Sequence, residues 1–150
     1  MVFVENKPLF QYDIVISMTK KCNRSNCTLC SQMIESDAYK FKCGFVFENK
    51  DQGLNCTSLN VIYVLRCTTC HGEYIGETKN FRQRMNTHAS HIRTKSLLCR
   101  ATDHLVSCGS HLPDVKSRFE IFILEIQTDR LVRKARESFF INLFIPEMNK

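Results

Sequence analysis

The period of the apolar positions changes along the chain, and each change marks an element. Val61 to Leu65 and Tyr74-Ile75 are short runs of β-branched and aromatic residues either side of Cys67-Thr68-Thr69-Cys70-His71-Gly72. They predict a β-hairpin with a cysteine-bearing turn. From Thr78 the period lengthens, and Phe81, Met85, His88 and Ile92 recur on one face of a helix, with Arg84 stacked one turn before His88. Arg118 to Gln127 is apolar in both registers, Phe119, Ile121 and Ile123 on one face and Phe122, Leu124 and Ile126 on the other. Such a strand is expected in the middle of a sheet covered by helices. Asp129 then caps a helix running to about Phe144, with Leu131, Ala135, Ser138, Phe139 and Asn142 along one stripe, Glu137 near the midpoint and Pro146 as the stop.

Upstream, Met1 to Lys21 offers one apolar run, Ile14 to Ile16, as an added strand or a lead-in. Phe41 to Phe47 suits a strand, Glu48 to Thr57 reads as a turn-rich linker, and Ser96 to His111 reads as irregular. The order strand, strand, helix, strand, helix predicts an α+β (mixed α/β) fold, a small three-stranded sheet flanked by helices. A chain of 150 residues with 43% hydrophobic content fills one core. The expected division is a cysteine-rich segment over residues 1–57 and the main domain over 58–150.

Cysteine usage adds candidate metal sites. Nine cysteines, an odd count, argue against a closed disulfide set. The N-terminus lacks a basic region before an apolar core and any apolar stretch long enough to span a bilayer. An intracellular, nuclear protein without a membrane partner is expected, and in reducing surroundings clustered thiols are better explained by zinc. Cys22, Cys27 and Cys30 have the spacing of a metal knuckle, with Cys43 completing four thiolates and Cys56 as its rival. Cys67 and Cys70 with His104 and His111 make a two-sulfur, two-nitrogen set, for which Cys99, Cys108 and His71 compete. One or two structural Zn²⁺ ions follow. The bland alternative is small buried thiols and loop histidines.

The net charge of +6 is clustered. No acidic residue interrupts Lys79, Arg82, Arg84, Arg93, Lys95 and Arg100, and Arg130, Arg133, Lys134 and Arg136 form a second run. Solvated faces usually mix both signs, so the clustering favours a polyanion, with Lys79, Arg82, Arg93 and Lys95 as phosphate-backbone contacts.

The central residues resemble the GIY-YIG nuclease family. Val61-Ile62-Tyr63 stands at the first triplet, with valine in place of its glycine, Tyr74-Ile75-Gly76 is the second, and Arg84 and His88 follow at the family's spacing. Glu137-Ser138-Phe139-Phe140-Ile141 matches a late motif, and Asn149 corresponds to an asparagine lining the same site. The cysteine pair between the triplets is similar to the variant attached to Penelope-like retroelements, as is the upstream cysteine segment. The resemblance spans Asn60 to Asn149. It implies a metal-dependent DNA endonuclease that nicks a retroelement's target, with a reverse transcriptase in cis or trans.

Phosphodiester hydrolysis needs a deprotonated water, charge neutralisation at phosphorus and help for the leaving oxygen. The resemblance makes Tyr63 the general base, acidified by nearby cations, with Tyr74 and His88 orienting water or phosphate. Arg84 offers a charged planar fork to the non-bridging oxygens, and Glu137 a hard ligand for catalytic Mg²⁺ or Mn²⁺. Singly, each has a plainer explanation: strand aromatics, a helix-face histidine, a glutamate paired with Arg133. Two other function classes compete, a catalytically silent nucleic-acid-binding module and a cysteine-rich redox or scaffold protein.

Overall fold

The computed structural model describes residues 20–22, 24–49, 53–96 and 98–150, so Ile14 to Ile16 lies outside the described residues. β1 (Ala38–Lys40) and β2 (Val46–Glu48) form a small antiparallel hairpin. β3 (Leu59–Cys67) and β4 (Glu73–Asn80) form the hairpin that the sequence announces, and α1 (Phe81–Thr94) and α2 (Arg100–Cys108) follow. β5 (Phe119–Ile126) completes a sheet in the order β4-β3-β5, antiparallel throughout, and α3 (Arg130–Phe144) comes last. The fold is α+β, a three-stranded sheet with helices on both faces.

Alternation along β3 creates the two cores. Val61, Tyr63, Leu65 and Cys67 face one, shared with Phe81, Met85 and Ile92 of α1 and Leu105 of α2. Ile62 and Val64 face the other, shared with Tyr39 and Phe41 and with Phe140 and Phe144 of α3. Asn80 caps α1 by accepting from the Gln83 N–H at 3.0 Å, and Asp129 caps α3 by accepting from Val132 N–H at 2.9 Å.

Several expected positions shift. The helix begins at Phe81, not Thr78, because Thr78 is still paired with Val61 across the sheet. Phe41 to Phe47 is mostly the turn between β1 and β2, closed by Phe41 N–H to Phe45 O at 2.8 Å around Gly44 at φ 97°. The stretch from Ser96 to His111 contains α2.

Among the described residues β5 is an edge strand, and β3 is the central one. β5 is nonetheless apolar on both faces because its outer edge is covered: Ile34 N–H donates to Ile121 O and Asn49 Nδ2 to Ile123 O, both at 2.8 Å. On α3 the expected stripe of Leu131, Ala135, Ser138, Phe139 and Asn142 is exposed, and Arg133, Phe140 and Phe144 are buried instead. The helix is apolar on two sides, and a buried arginine disguises the one that packs.

That arginine belongs to a network that pairs three of the four cations of the second basic run, Arg133, Lys134 and Arg136. Arg133 Nε lies 2.6 Å from Glu77 Oε2, Lys134 Nζ 2.8 Å from Glu77 Oε1, and Arg136 forks onto Glu125 at 2.7 and 3.1 Å. Arg133 and Glu77 are both buried, so removing one partner strands a charge in the core. Arg133→Met is expected to lower the unfolding free energy by about 3 kcal/mol. Glu77→Gln combined with it is expected to recover part of the loss. Denaturant unfolding of both variants checks this; equal stabilities of Arg133→Met and wild type would contradict it.

Candidate active site and metal centres

The β3–β4 register sets Tyr63 opposite Gly76 and Tyr74 opposite Leu65. A Cβ at position 76 would lie 2.6 Å from Tyr63 Oη, so only glycine lets the phenol rest across β4. Tyr63 and Tyr74 project from the same sheet face toward α1, their rings 6.4 Å apart, with the His88 ring 6.2 and 6.1 Å from them. Tyr63 Oη and His88 Nε2 share a buried hydrogen bond of 2.9 Å. Helical spacing accounts for the convergence, since the buried residues of α1 include Phe81, Met85, His88 and Ile92, as the pattern predicts.

Burial pushes the Tyr63 phenol well above its ordinary value, with Tyr74, Cys99 and Glu137 adding to the rise and Arg84 opposing it. Tyr74 is raised in the same way, and its hydroxyl also meets the Cys99 thiol. Arg84 therefore acts in the expected acidifying direction but is outweighed by desolvation. Burial, then the charges of Arg84 and His91, hold His88 down at about 4. It is the neutral imidazole that faces Tyr63. With the phenol donating to Nε2, the imidazole proton sits on Nδ1, which is buried without a hydrogen-bond partner among the described residues.

Arg84 is exposed, beside an open groove of about 630 Å³ that it lines with Thr78, Lys79, Asn80, Gln83 and Thr87. Glu137 is carried by the helix on the opposite sheet face, yet its carboxylate, half-buried and 3.5 Å from Lys134 Nζ, acts electrostatically on both phenols. Asn149 does not offer its amide to the site. Oδ1 accepts from Ile75 N–H at 2.8 Å and Nδ2 donates to Ile75 O at 2.9 Å, which clamps the edge of β4 between Tyr74 and Gly76. Cys99 beside Tyr74 carried no sequence signal for this place, being one cysteine in an unpatterned stretch.

A family model described as the GIY-YIG catalytic domain matches residues 59–150, more than half of the chain. The chain belongs to the GIY-YIG family. These are metal-dependent nucleases acting on DNA, and the two tyrosines, Arg84, His88 and Glu137 lie inside the matched span. Searches of curated proteins and of solved structures found no match to this chain.

Two clusters beside the GIY-YIG core fit a metal. Cys22, Cys27, Cys30 and Cys56 bring their sulfurs together, with Sγ separations of 3.5, 3.3 and 3.7 Å for the pairs 22–30, 27–56 and 30–56. A tetrahedron with Zn–S bonds of ~2.3 Å has S···S edges of ~3.8 Å, whereas a disulfide needs ~2.05 Å. Burial opposes thiolate formation at Cys27, but the Leu29 backbone N–H and the neighbouring thiols bring it down to about 6, while burial pushes Cys56 up. Cys56 thus takes the place expected of Cys43. The β1–β2 turn carries Cys43, exposed, on a hairpin that packs against the other core.

The second cluster is Cys67, Cys70, His104 and Cys108. Cys67 and Cys108 sulfurs are 3.8 Å apart, and Cys70 Sγ is 3.2 Å from His104 Nε2. His104 and Cys108 are one turn apart on α2 and face the hairpin turn together. The helix ends at Cys108, so His111, expected as the fourth ligand, is exposed beyond it and outside the cluster. The three-sulfur, one-nitrogen set suits a closed structural zinc site.

Of the expected phosphate contacts, Lys79 lies in the groove, Arg82 turns to the thiols of Cys22, Cys27 and Cys56, and Arg93 and Lys95 are exposed at the far end of α1. Native His88 resists protonation until about 4, while the unfolded residue takes a proton near 6.5. The unfolded state therefore binds more protons in that window, and stability is expected to fall by up to about 3 kcal/mol as pH drops from 6.5 to 4. Denaturant unfolding across this range checks it. His88→Gln should show a correspondingly shallower decline, zinc loss being common to both proteins; parallel curves would contradict the assignment.

Proposed function

We propose that this chain nicks DNA by metal-dependent phosphodiester hydrolysis, in the service of retroelement target-site cleavage. The observation that carries the proposal is the meeting of Tyr63, Tyr74 and His88 beside Arg84 and its basic groove, within electrostatic range of Glu137. A single carboxylate suits Mg²⁺ or Mn²⁺, which keeps several waters and is commonly held by one or two carboxylates and substrate phosphate. Bound at Glu137, the ion supplies charge neutralisation at the phosphate and the leaving oxygen. Arg84 forks onto the non-bridging oxygens. Tyr63 takes a proton from the attacking water as its own passes to His88, so no free phenolate accumulates in the buried site.

The retroelement assignment rests on Cys67-x-x-Cys70 between the two triplets, a resemblance to the Penelope-like variant that gains from both cysteines entering a metal-type cluster. It carries with it a nuclear location and a reverse transcriptase in cis or trans. Residues 1–57 are then a zinc-bearing extension of the nuclease domain. The burial of Tyr63, which opposes loss of its proton, favours a second reading, a silent nucleic-acid-binding module stabilised by zinc. The thiol separations speak against a disulfide-based redox protein.

Relaxation of supercoiled plasmid with Mg²⁺ tests the proposal. Glu137→Gln and Arg84→Ala are each expected to slow nicking by about 100-fold or more, on the scale of losing one transition-state contact, with thermal unfolding little changed. Because the proton passes to His88, which is neutral above about 4, the wild-type rate should hold level between pH 7 and 9, and a roughly tenfold climb per pH unit would point to a free phenolate instead. DNA binding without Mg²⁺-dependent nicking at any pH would favour the silent module, and full activity of either variant would remove its residue from the mechanism.

A further inference from the structure

Arg82 belongs to the basic run that reads as DNA-binding, yet its guanidinium is turned elsewhere. Nη2 lies 3.3, 3.5 and 3.8 Å from the sulfurs of Cys56, Cys27 and Cys22. Two residues on, Arg84 leaves the helix about 200° away around the axis, which puts the two guanidinia on opposite sides of α1. Arg84 faces the groove, and Arg82 faces the thiols. Four thiolates around a divalent ion carry a net charge of about −2, and N–H···S bonds from a fixed cation stabilise such a charge in a partly buried place. A mobile ammonium would do so less well than a planar fork.

The cluster gathers Cys22, Cys27, Cys30 and Cys56 from two separate stretches upstream of the nuclease domain. Arg82 sits in the first turn of α1, directly after the Asn80 cap and beside buried Phe81. It therefore connects the upstream cysteines to the helix that presents both Arg84 and His88. We propose that Arg82 is the counter-ion of the four-thiolate site rather than a DNA contact, and that through it metal occupancy fixes the position of α1. The proposal rests on reading the four thiols as a zinc site. It makes Arg82 a positioning residue for the nuclease centre.

The test uses the full chain with Arg82→Met, which keeps length and loses charge, and Arg82→Lys, which keeps charge and loses the fork. Elemental analysis should give two zinc equivalents in the wild type. In competition with a chromogenic chelator, Arg82→Met should yield one of them 10–100-fold more readily, Arg82→Lys should fall between, and the second equivalent should be unchanged. The slope of log affinity against log salt for duplex DNA should equal that of wild type. Unaltered release of both zinc equivalents, with the salt slope reduced by about one phosphate contact, would overturn the proposal.

Hydrogen exchange of the unsubstituted protein supplies a readout independent of how the variants fold. Stripping the protein of zinc with the chelator should speed exchange in the first turns of α1, and unchanged protection there would refute the coupling. A wild-type protein with no zinc, or one whose zinc content is unchanged by Cys27→Ser, would overturn the four-thiol zinc reading itself, whatever Arg82 does.

Discussion

Burial of β3 on both faces and both edges is the constraint from which the site follows. Val61 to Leu65 are fully enclosed, alternate side chains enter different cores, and strands run antiparallel on either side. A slip of one residue would send Tyr63 to the α3 face and Ile62 toward α1, exchanging a phenol for an alkyl group in each core. Register is thereby fixed, and with it the pairing of Tyr63 with Gly76. The space that glycine vacates lets the phenol cross β4 toward His88. Packing strong enough to hold that geometry also desolvates the phenol, so the same burial that orients Tyr63 opposes its ionisation.

Electrostatics then divides cations that look alike in the sequence. Arg133, Lys134 and Arg136 meet Glu77, Glu137 and Glu125, and Arg66 forks onto Glu120. Arg82 meets thiols. Lys79 and Arg84 line the groove. The partition matters because pairing with protein anions lowers the attraction of those cations for a polyanion, whereas a cation held at an open groove retains it. Net charge alone could not reveal which group each cation would serve.

The two thiol clusters flank the same core as the phenols. One brings Cys22, Cys27, Cys30 and Cys56 together beside the start of α1, and the other brings the β3–β4 turn against α2. A three-stranded sheet buries little surface by itself, so a metal held at either cluster would cross-link an end of its functional face and add rigidity that a larger core would otherwise provide. The outer edges of the sheet are closed by side chains and loops, Asn49 and Ile34 at β5 and Asn149 and Glu147 at β4. Asn149 thus supports the site by holding the strand that carries Tyr74.

What could be read from residue order was much of what local period and spacing govern, although α2 and the β1–β2 turn escaped it. The hairpin, the face of α1 with Phe81, Met85, His88 and Ile92, the caps at Asp129 and the two triplets all follow from side-chain periodicity and from nearest neighbours along the chain. Long-range choices could not be read that way. Cys56 prevails over Cys43, and Cys108 over His111, because one hairpin packs on the opposite face and one helix ends at Cys108. The buried side of α3 depends on Glu77, a residue 56 positions from Arg133, and β5 tolerates an edge because Ile34 and Asn49 reach back to cover it. Periodicity tells a segment which faces are apolar, but only the folded chain decides which face meets a partner, and whether a charge there finds its opposite.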